Sequence, residues 1–197
     1  MITDAPWGQE VDPPLSRSAK RRAAARMKPE ERPCYTQRRI VGSVTIELPM
    51  PPSANKLYAN RGSQGRIKTT AYRAWRSGAV LMASVKRPGR IAGPCDVTIH
   101  LPPFNGDTDN RIKPCLDAAK ELGVIADDGK AFVRNVSAVR ESAGTIVRMV
   151  FSMLPIDDTT RAEVELRARE GQRSDYIAAA HRLTSGQVEA ILAGARP

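Results

Sequence analysis

Residues 95–128 read CDVTIHLPPFNGDTDNRIKPCLDAAKELGVIADD, and the fold turns on how this stretch divides. Val97, Ile99 and Leu101 alternate with Asp96, Thr98 and His100, the period of a strand with one buried face. Pro102 to Asn110 is rich in Pro, Asn, Gly and Asp and reads as a loop. Ile112, Leu116, Ala119 and Leu122 then form the stripe of a helix, and Gly123 is its stop signal. Pro114 lacks an amide hydrogen and suits only a first turn, so regular helix is expected from near Lys113.

The same periods extend outward in both directions. Upstream, the folded part is expected to begin at Ile40, with Val44, Ile46 and Leu48 alternating in a strand. Pro49, Pro51 and Pro52 end it, because proline cannot donate to a ladder. A polar loop through Asn55, Asn60, Gly62 and Gly65 leads to a helix over 70–86, with Trp75, Ala79, Met82 and Val85 on its stripe. Downstream, Phe132–Arg140 and Thr145–Leu154 read as strands joined by Ser142-Ala143-Gly144 in a hairpin. The expected fold class is α+β: a small mixed sheet with helices on one face.

Both ends differ from this middle. Residues 1–39 are broken by prolines, and Arg17, Lys20, Arg21, Arg22, Arg26, Lys28, Arg32, Arg38 and Arg39 are opposed only by Glu30 and Glu31 from Arg17 onward. This reads as a basic tail, either a phosphate-contacting arm or a solvated extension, with a short Ala-rich helix near Ala19–Met27. Residues 157–197 read as a helical extension beyond a domain at 40–156. Within it, Ser174-Asp175-Tyr176 opens one helix, Thr184-Ser185-Gly186 makes a turn, and Val188, Ile191 and Leu192 mark another. That outline fits a DNA-binding helix-turn-helix, and equally a packing or dimer-stabilising appendage.

The chain has 197 residues, 31 Lys and Arg against 21 Asp and Glu, and a net charge of +10. Such a field favours polyanions, nucleic acid foremost, although ribosomal or anionic-lipid partners share the chemistry. No apolar run nears the roughly 20 residues of a bilayer span, and no apolar signal core opens the chain, so a cytoplasmic protein without membrane partners is expected. Cys34, Cys95 and Cys115 are too scattered for a disulfide framework or a zinc site. His100 and His181 stand alone, and neither a nucleophile elbow nor a phosphate-binding loop is present.

The chemistry-bearing run is Gly106-Asp107-Thr108-Asp109-Asn110-Arg111-Ile112-Lys113, followed by Asp127-Asp128 in the next loop. In an extended segment Asp107 and Asp109 point to the same side, so both carboxylates can meet one hard cation. The competing role is a turn and helix cap, which Asp and Asn also suit. A calcium-binding EF-hand is excluded, because Ile112 and Ala118 occupy the positions that need Gly and Glu. Asp127 or Asp128 would have to fold back to join, and several carboxylates gathered together favour a cation among them.

In these three segments the chain resembles the RusA-type Holliday junction resolvases: Ile46 to Asn55 (IELPMPPSAN), Asp107 to Ala118 (DTDNRIKPCLDA), and Gly123 to Lys130 (GVIADDGK). The resemblance spans about residues 41–154. It implies a RusA-like homodimer, cytoplasmic and nucleoid-associated, that nicks opposing strands of four-way or otherwise branched DNA; the family's habits point to a phage or prophage origin. By matching position, Asp107, Asp109 and Asp128 become the ligands of Mg²⁺, with Mn²⁺ as substitute, and Lys113 the essential lysine. Asp127 would support the site and Asp117 would be structural. Ala118-Ala119-Lys120 departs from the family's usual Ala-Leu. Lys56, Arg61, Arg66, Lys68, Arg73, Arg76, Arg111 and Lys130 are the DNA-binding candidates, with Lys86 and Arg90 nearby and Tyr58 or Phe104 as wedges. The alternatives are a non-catalytic DNA-binding or regulatory protein using the C-terminal helices, and an RNA- or ribosome-associated module.

Overall fold

Alternating burial along four stretches builds the main sheet. The computed structural model describes residues 33–60, 62 and 65–196. In chain order its strands are β1 (Ser43–Pro49), β2 (Tyr58–Asn60), β3 (Arg66–Lys68), β4 (Cys95–Leu101), β5 (Val133–Arg140) and β6 (Ile146–Met153). Its helices are α1 (Thr70–Ser84), α2 (Asp109–Leu122), α3 (Asp158–Arg169), α4 (Ser174–His181) and α5 (Ser185–Leu192), preceded by a single turn at Pro33–Thr36. The architecture is mixed α+β.

The sheet order is β1-β6-β4-β5, with β4 parallel to β5 and antiparallel to β6. Register puts Ile46 beside Met149 and Met149 beside Ile99, so one face gathers the apolar side chains of all the central strands. α1 packs on β1, and α2 packs on α1. The opposite face carries Thr45, Glu47, Thr98, His100 and Arg148, as a period of two requires.

The 142–144 hairpin is corrected. β5 and β6 are separated by β4, and the amide of Glu141 donates to Leu101 O at 2.8 Å. A five-residue link can cover about 16 Å when extended, more than the roughly 10 Å needed to step over one strand. Turn residues therefore marked a loop without specifying a tight pairing.

α2 begins at Asp109, four residues earlier than expected, and Pro114 lies inside it. Its first turn is tightened by an i→i−3 bond from Arg111 N to Thr108 O, 3.0 Å. Gly123 ends the helix at φ 80°, and a Cβ there would lie 1.9 Å from Cys34 O, so glycine is required by both conformation and space. In α1 the buried residues are Tyr72, Ala79 and Ala83, with Trp75 packed at the margin. Met82 and Val85, expected inside, are exposed.

Part of the expected tail is folded. Tyr35 is buried and donates to Ile91 O at 2.6 Å, while Arg38 donates to Leu122 O at 2.6 Å and Pro88 O at 2.8 Å. The rest of the tail, including the Ala19–Met27 helix, lies outside the described residues. The C-terminal extension forms three helices around Val164, Ile177, Val188 and Ile191. α5 joins this group to the main core: Ala190 is buried there, Gly186 packs on the Ala92–Gly93 backbone, and Arg90 pairs with Glu189.

Candidate metal and phosphate site

The site is built along one face of α2. Asp109, Lys113, Asp117 and Lys120 follow at i, i+4, i+8 and i+11, a polar stripe on a helix whose other side is core. After Gly123 the loop doubles back beside this stripe and brings Asp128 to it. Lys113 Nζ hydrogen-bonds Asp128 Oδ2 and lies 3.0 Å from Asp117 Oδ1. Lys120 Nζ reaches Asp128 Oδ1 at 2.7 Å and Asp127 Oδ1 at 3.0 Å. The loop after Gly123 thus folds back onto α2 through two lysines, and among the described residues no three such carboxylates are gathered where they could hold a metal ion.

Behind them, the buried Tyr72 hydroxyl donates to Asp117 Oδ2 at 2.8 Å. This hydrogen bond gives Asp117 the structural position expected of it. Burial pushes the Asp128 carboxyl up, but hydrogen bonds from Lys113 and Lys120 outweigh it and hold the group well below the usual carboxylate range. Burial lowers both lysines, and their bonds to Asp128, with Asp117 or Asp127, more than reverse this, so both stay charged.

Asp107 and Asp109 lie on the exposed side, at the entry to α2. Asn110 Nδ2 donates to Asp107 Oδ2 at 3.4 Å, and neither carboxylate has an ion-pair partner among the described residues. Their loop is clamped by Arg140, whose Nε donates to Thr108 Oγ1 at 2.9 Å and whose Nη2 donates to Gly106 O. Two guanidinium groups lie near the Phe104 ring, Arg140 4.4 Å from its centroid and Arg111 at 5.2 Å, and the half-buried ring packs against the main core.

Among the described residues no three His, Cys, Asp or Glu side chains form a ready metal cluster. The donor chemistry of Asp107, Asp109 and Asp128 is nonetheless that of a hard divalent cation, all carboxylate oxygen. Lys113 now satisfies the Asp128 oxygen that such a cation would need.

The basic candidates separate by what they touch. Lys56, Arg66, Arg73 and Lys130 are exposed. Arg66 lies over Tyr58, and Lys68 lies over Tyr72 at 5.7 Å. Arg76 pairs with Glu121, and Arg111 donates to Pro51 O, so both are engaged within the fold. Arg90, 5% exposed, pairs with Glu189 and stacks on Tyr35; it is a structural cation and no surface contact. Arg61 lies outside the described residues.

Sequence reasoning missed Lys120 as part of the site, although its i+7 spacing from Lys113 signals a shared helix face. It also missed Arg140 and Tyr72, which the β4–β5 register and the α1–α2 packing bring in; no local pattern carries that information. No protein-family model matches the chain, and no curated protein is a significant relative.

Proposed function

We propose that the chain is a metal-dependent endodeoxyribonuclease that nicks opposing strands of Holliday junctions or related branched DNA, acting with Mg²⁺, or Mn²⁺ in its place. The observation that supports this reading is the convergence of Lys113 and Lys120 on Asp128 along the helix that Asp109 opens. Two segments that are unremarkable apart thereby become one acid–lysine site next to exposed basic residues.

In this reading Asp107, Asp109 and Asp128 hold the cation, which when bound supplies activation of water and withdrawal of phosphate charge. Lys113, freed from Asp128, neutralises charge on the scissile phosphate or its leaving oxygen. Lys120 keeps Asp127 and Asp128 turned toward α2. Lys56, Arg66, Arg73 and Lys130 are the exposed candidates available to the DNA backbone. The alternative of DNA reading through the C-terminal helices is less favoured. In α5, Val188, Ala190 and Ile191 are buried, Gly186 is packed on Gly93, and the exposed Ser185, Glu189 and Leu192 offer no positive charge.

The test is cleavage of a synthetic four-way junction against linear duplex, with Mg²⁺ and with EDTA. Paired nicks that require metal and fall by about 100-fold or more in Asp109→Asn and in Lys113→Met are expected. Tight binding without cutting would remove the nuclease reading.

A further inference from the structure

Between the main sheet and the C-terminal helices lies a cavity of about 400 Å³. Pockets that hold small ligands measure roughly 300–1,000 Å³ and favour junctions of this kind. Its wall takes Tyr35 from the N-terminal turn, Arg90 from the approach to β4, Phe132 from the turn before β5, and Ser185 and Glu189 from α5. Ser185 and Glu189 stand four apart and so share one face of that helix.

Phe132 is an aromatic side chain without a packing role in the fold. Its ring is half-buried, yet among the described residues it packs on neither apolar core and stacks on no other ring. Its backbone is fixed, with the amide donating to Gly129 O at 2.9 Å and the carbonyl accepting from Cys95 N at 2.9 Å. A ring held in this way offers its face to another flat group.

The wall carries one cation and one anion, and they cancel. Arg90, 5% exposed, pairs with Glu189, donates to Arg38 O at 3.2 Å and lies 4.5 Å from the centroid of Tyr35. Although the chain has a net charge of +10, this cavity presents no surplus of positive charge to a phosphate or carboxylate. Arg90 engages only Oε1 of Glu189. Among the described residues, Oε2 of Glu189 and the hydroxyl of Ser185 have no hydrogen-bond partner, and both residues are exposed. A carboxylate oxygen only accepts, so it calls for a ligand with an N–H or O–H donor.

We propose that the cavity binds an uncharged, planar heterocycle bearing an amino group, the chemistry of a purine or pyrimidine base, stacked on Phe132 and donating to Glu189. The cavity uses none of the acid–lysine residues, so it stands or falls separately from the nuclease reading.

The probe is 2-aminopurine riboside, whose fluorescence falls when its base stacks, titrated with the full chain. Saturable quenching is expected, with a dissociation constant of about 100 µM or below. Phe132→Ala is expected to weaken binding about tenfold or more through loss of stacking. Glu189→Gln is expected to weaken it by about the same factor, because the carboxylate acceptor is lost. Both variants are expected to keep the circular dichroism of the parent, since Phe132 supports neither core and glutamine retains an acceptor for Arg90. Tyr176→Ala, which removes an exposed aromatic outside the cavity, is expected to leave the titration unchanged. The same base placed within a single-stranded oligonucleotide separates the two sources of this chemistry. Quenching by the riboside assigns the cavity to a free nucleoside or base, and quenching by the oligonucleotide alone, lost in Phe132→Ala, assigns it to a base turned out of a strand. Absence of quenching with both probes overturns the proposal. So does quenching that survives Phe132→Ala and Glu189→Gln, or that excess inorganic phosphate competes away.

Discussion

Asp117 shows how a single buried charge is maintained. It is 8% exposed and is held by Tyr72 on one oxygen and Lys113 on the other. Removing one partner leaves the desolvation cost in place, so Tyr72→Phe is expected to lower unfolding stability by about 2 kcal/mol in urea titrations. Asp128 behaves differently with pH. Its folded-state pKa lies below the unfolded value of about 3.9, so its ion pairs stabilise fully above that value. That stability is lost as pH falls through the folded value. In EDTA, Asp128→Asn is expected to be less stable than the parent at neutral pH and to have a flatter acid limb. The thiols divide by burial: desolvation pushes Cys95 and Cys115 up to about 12, whereas Cys34 is exposed. An aromatic disulfide reagent is expected to titrate one thiol in the native chain and three in denaturant.

Elements were legible in the sequence where one rule decided them. The strands at Val44–Leu48 and Val97–Leu101 have one wet and one dry face, so a period of two is written into them directly. The helix over Thr70–Ser84 was equally plain, but its inward face was not. Apolar residues line both sides, and periodicity alone cannot say which side meets the sheet. The proline rule misplaced the start of α2, because the helix begins at Asp109 and carries Pro114 inside it, past its first turn. The 142–144 turn was read without its partner strand, which arrives from forty residues upstream. Asp107 and Asp109 stood out as a local carboxylate run and the roles of Lys113 and Asp128 came from the resemblance, whereas the contacts of Lys120, Tyr72 and Arg140 depend on packing between elements. One consequence belongs to α5. A side chain at Gly186 would meet Gly93 N at 2.9 Å and Ala92 C at 3.1 Å, both backbone atoms. Gly186→Val is therefore expected to loosen the C-terminal helices, costing about 2 kcal/mol or more. Faster protease cleavage within 157–196, with the sheet core retained, would show it.

Across the whole molecule, β4, α2 and β5 form one strand–helix–strand unit, and the candidate site lies along its helix. The carboxylate loop leaves the carboxyl end of β4, and Arg140 reaches it from the carboxyl end of the parallel β5, where ligand sites of such units usually lie. The three C-terminal helices brace the opposite end through Arg90 and Glu189. Lys113 and Lys120 give the unit a further property. They act as built-in counter-ions for Asp127 and Asp128, so that pair is neutralised before any cation arrives. Proteins whose acidic ligands lack such substitutes often fold only when loaded. This one is expected to reach its native shape in chelator, with an unchanged circular dichroism spectrum. Under the proposed function, an incoming cation displaces an ammonium group from Asp128, so its apparent affinity is expected to be moderate and to rise in Lys113→Met, even as the proposed cutting is lost. On that same reading, assembly and activation would be separate events, with the supply of metal governing only the second.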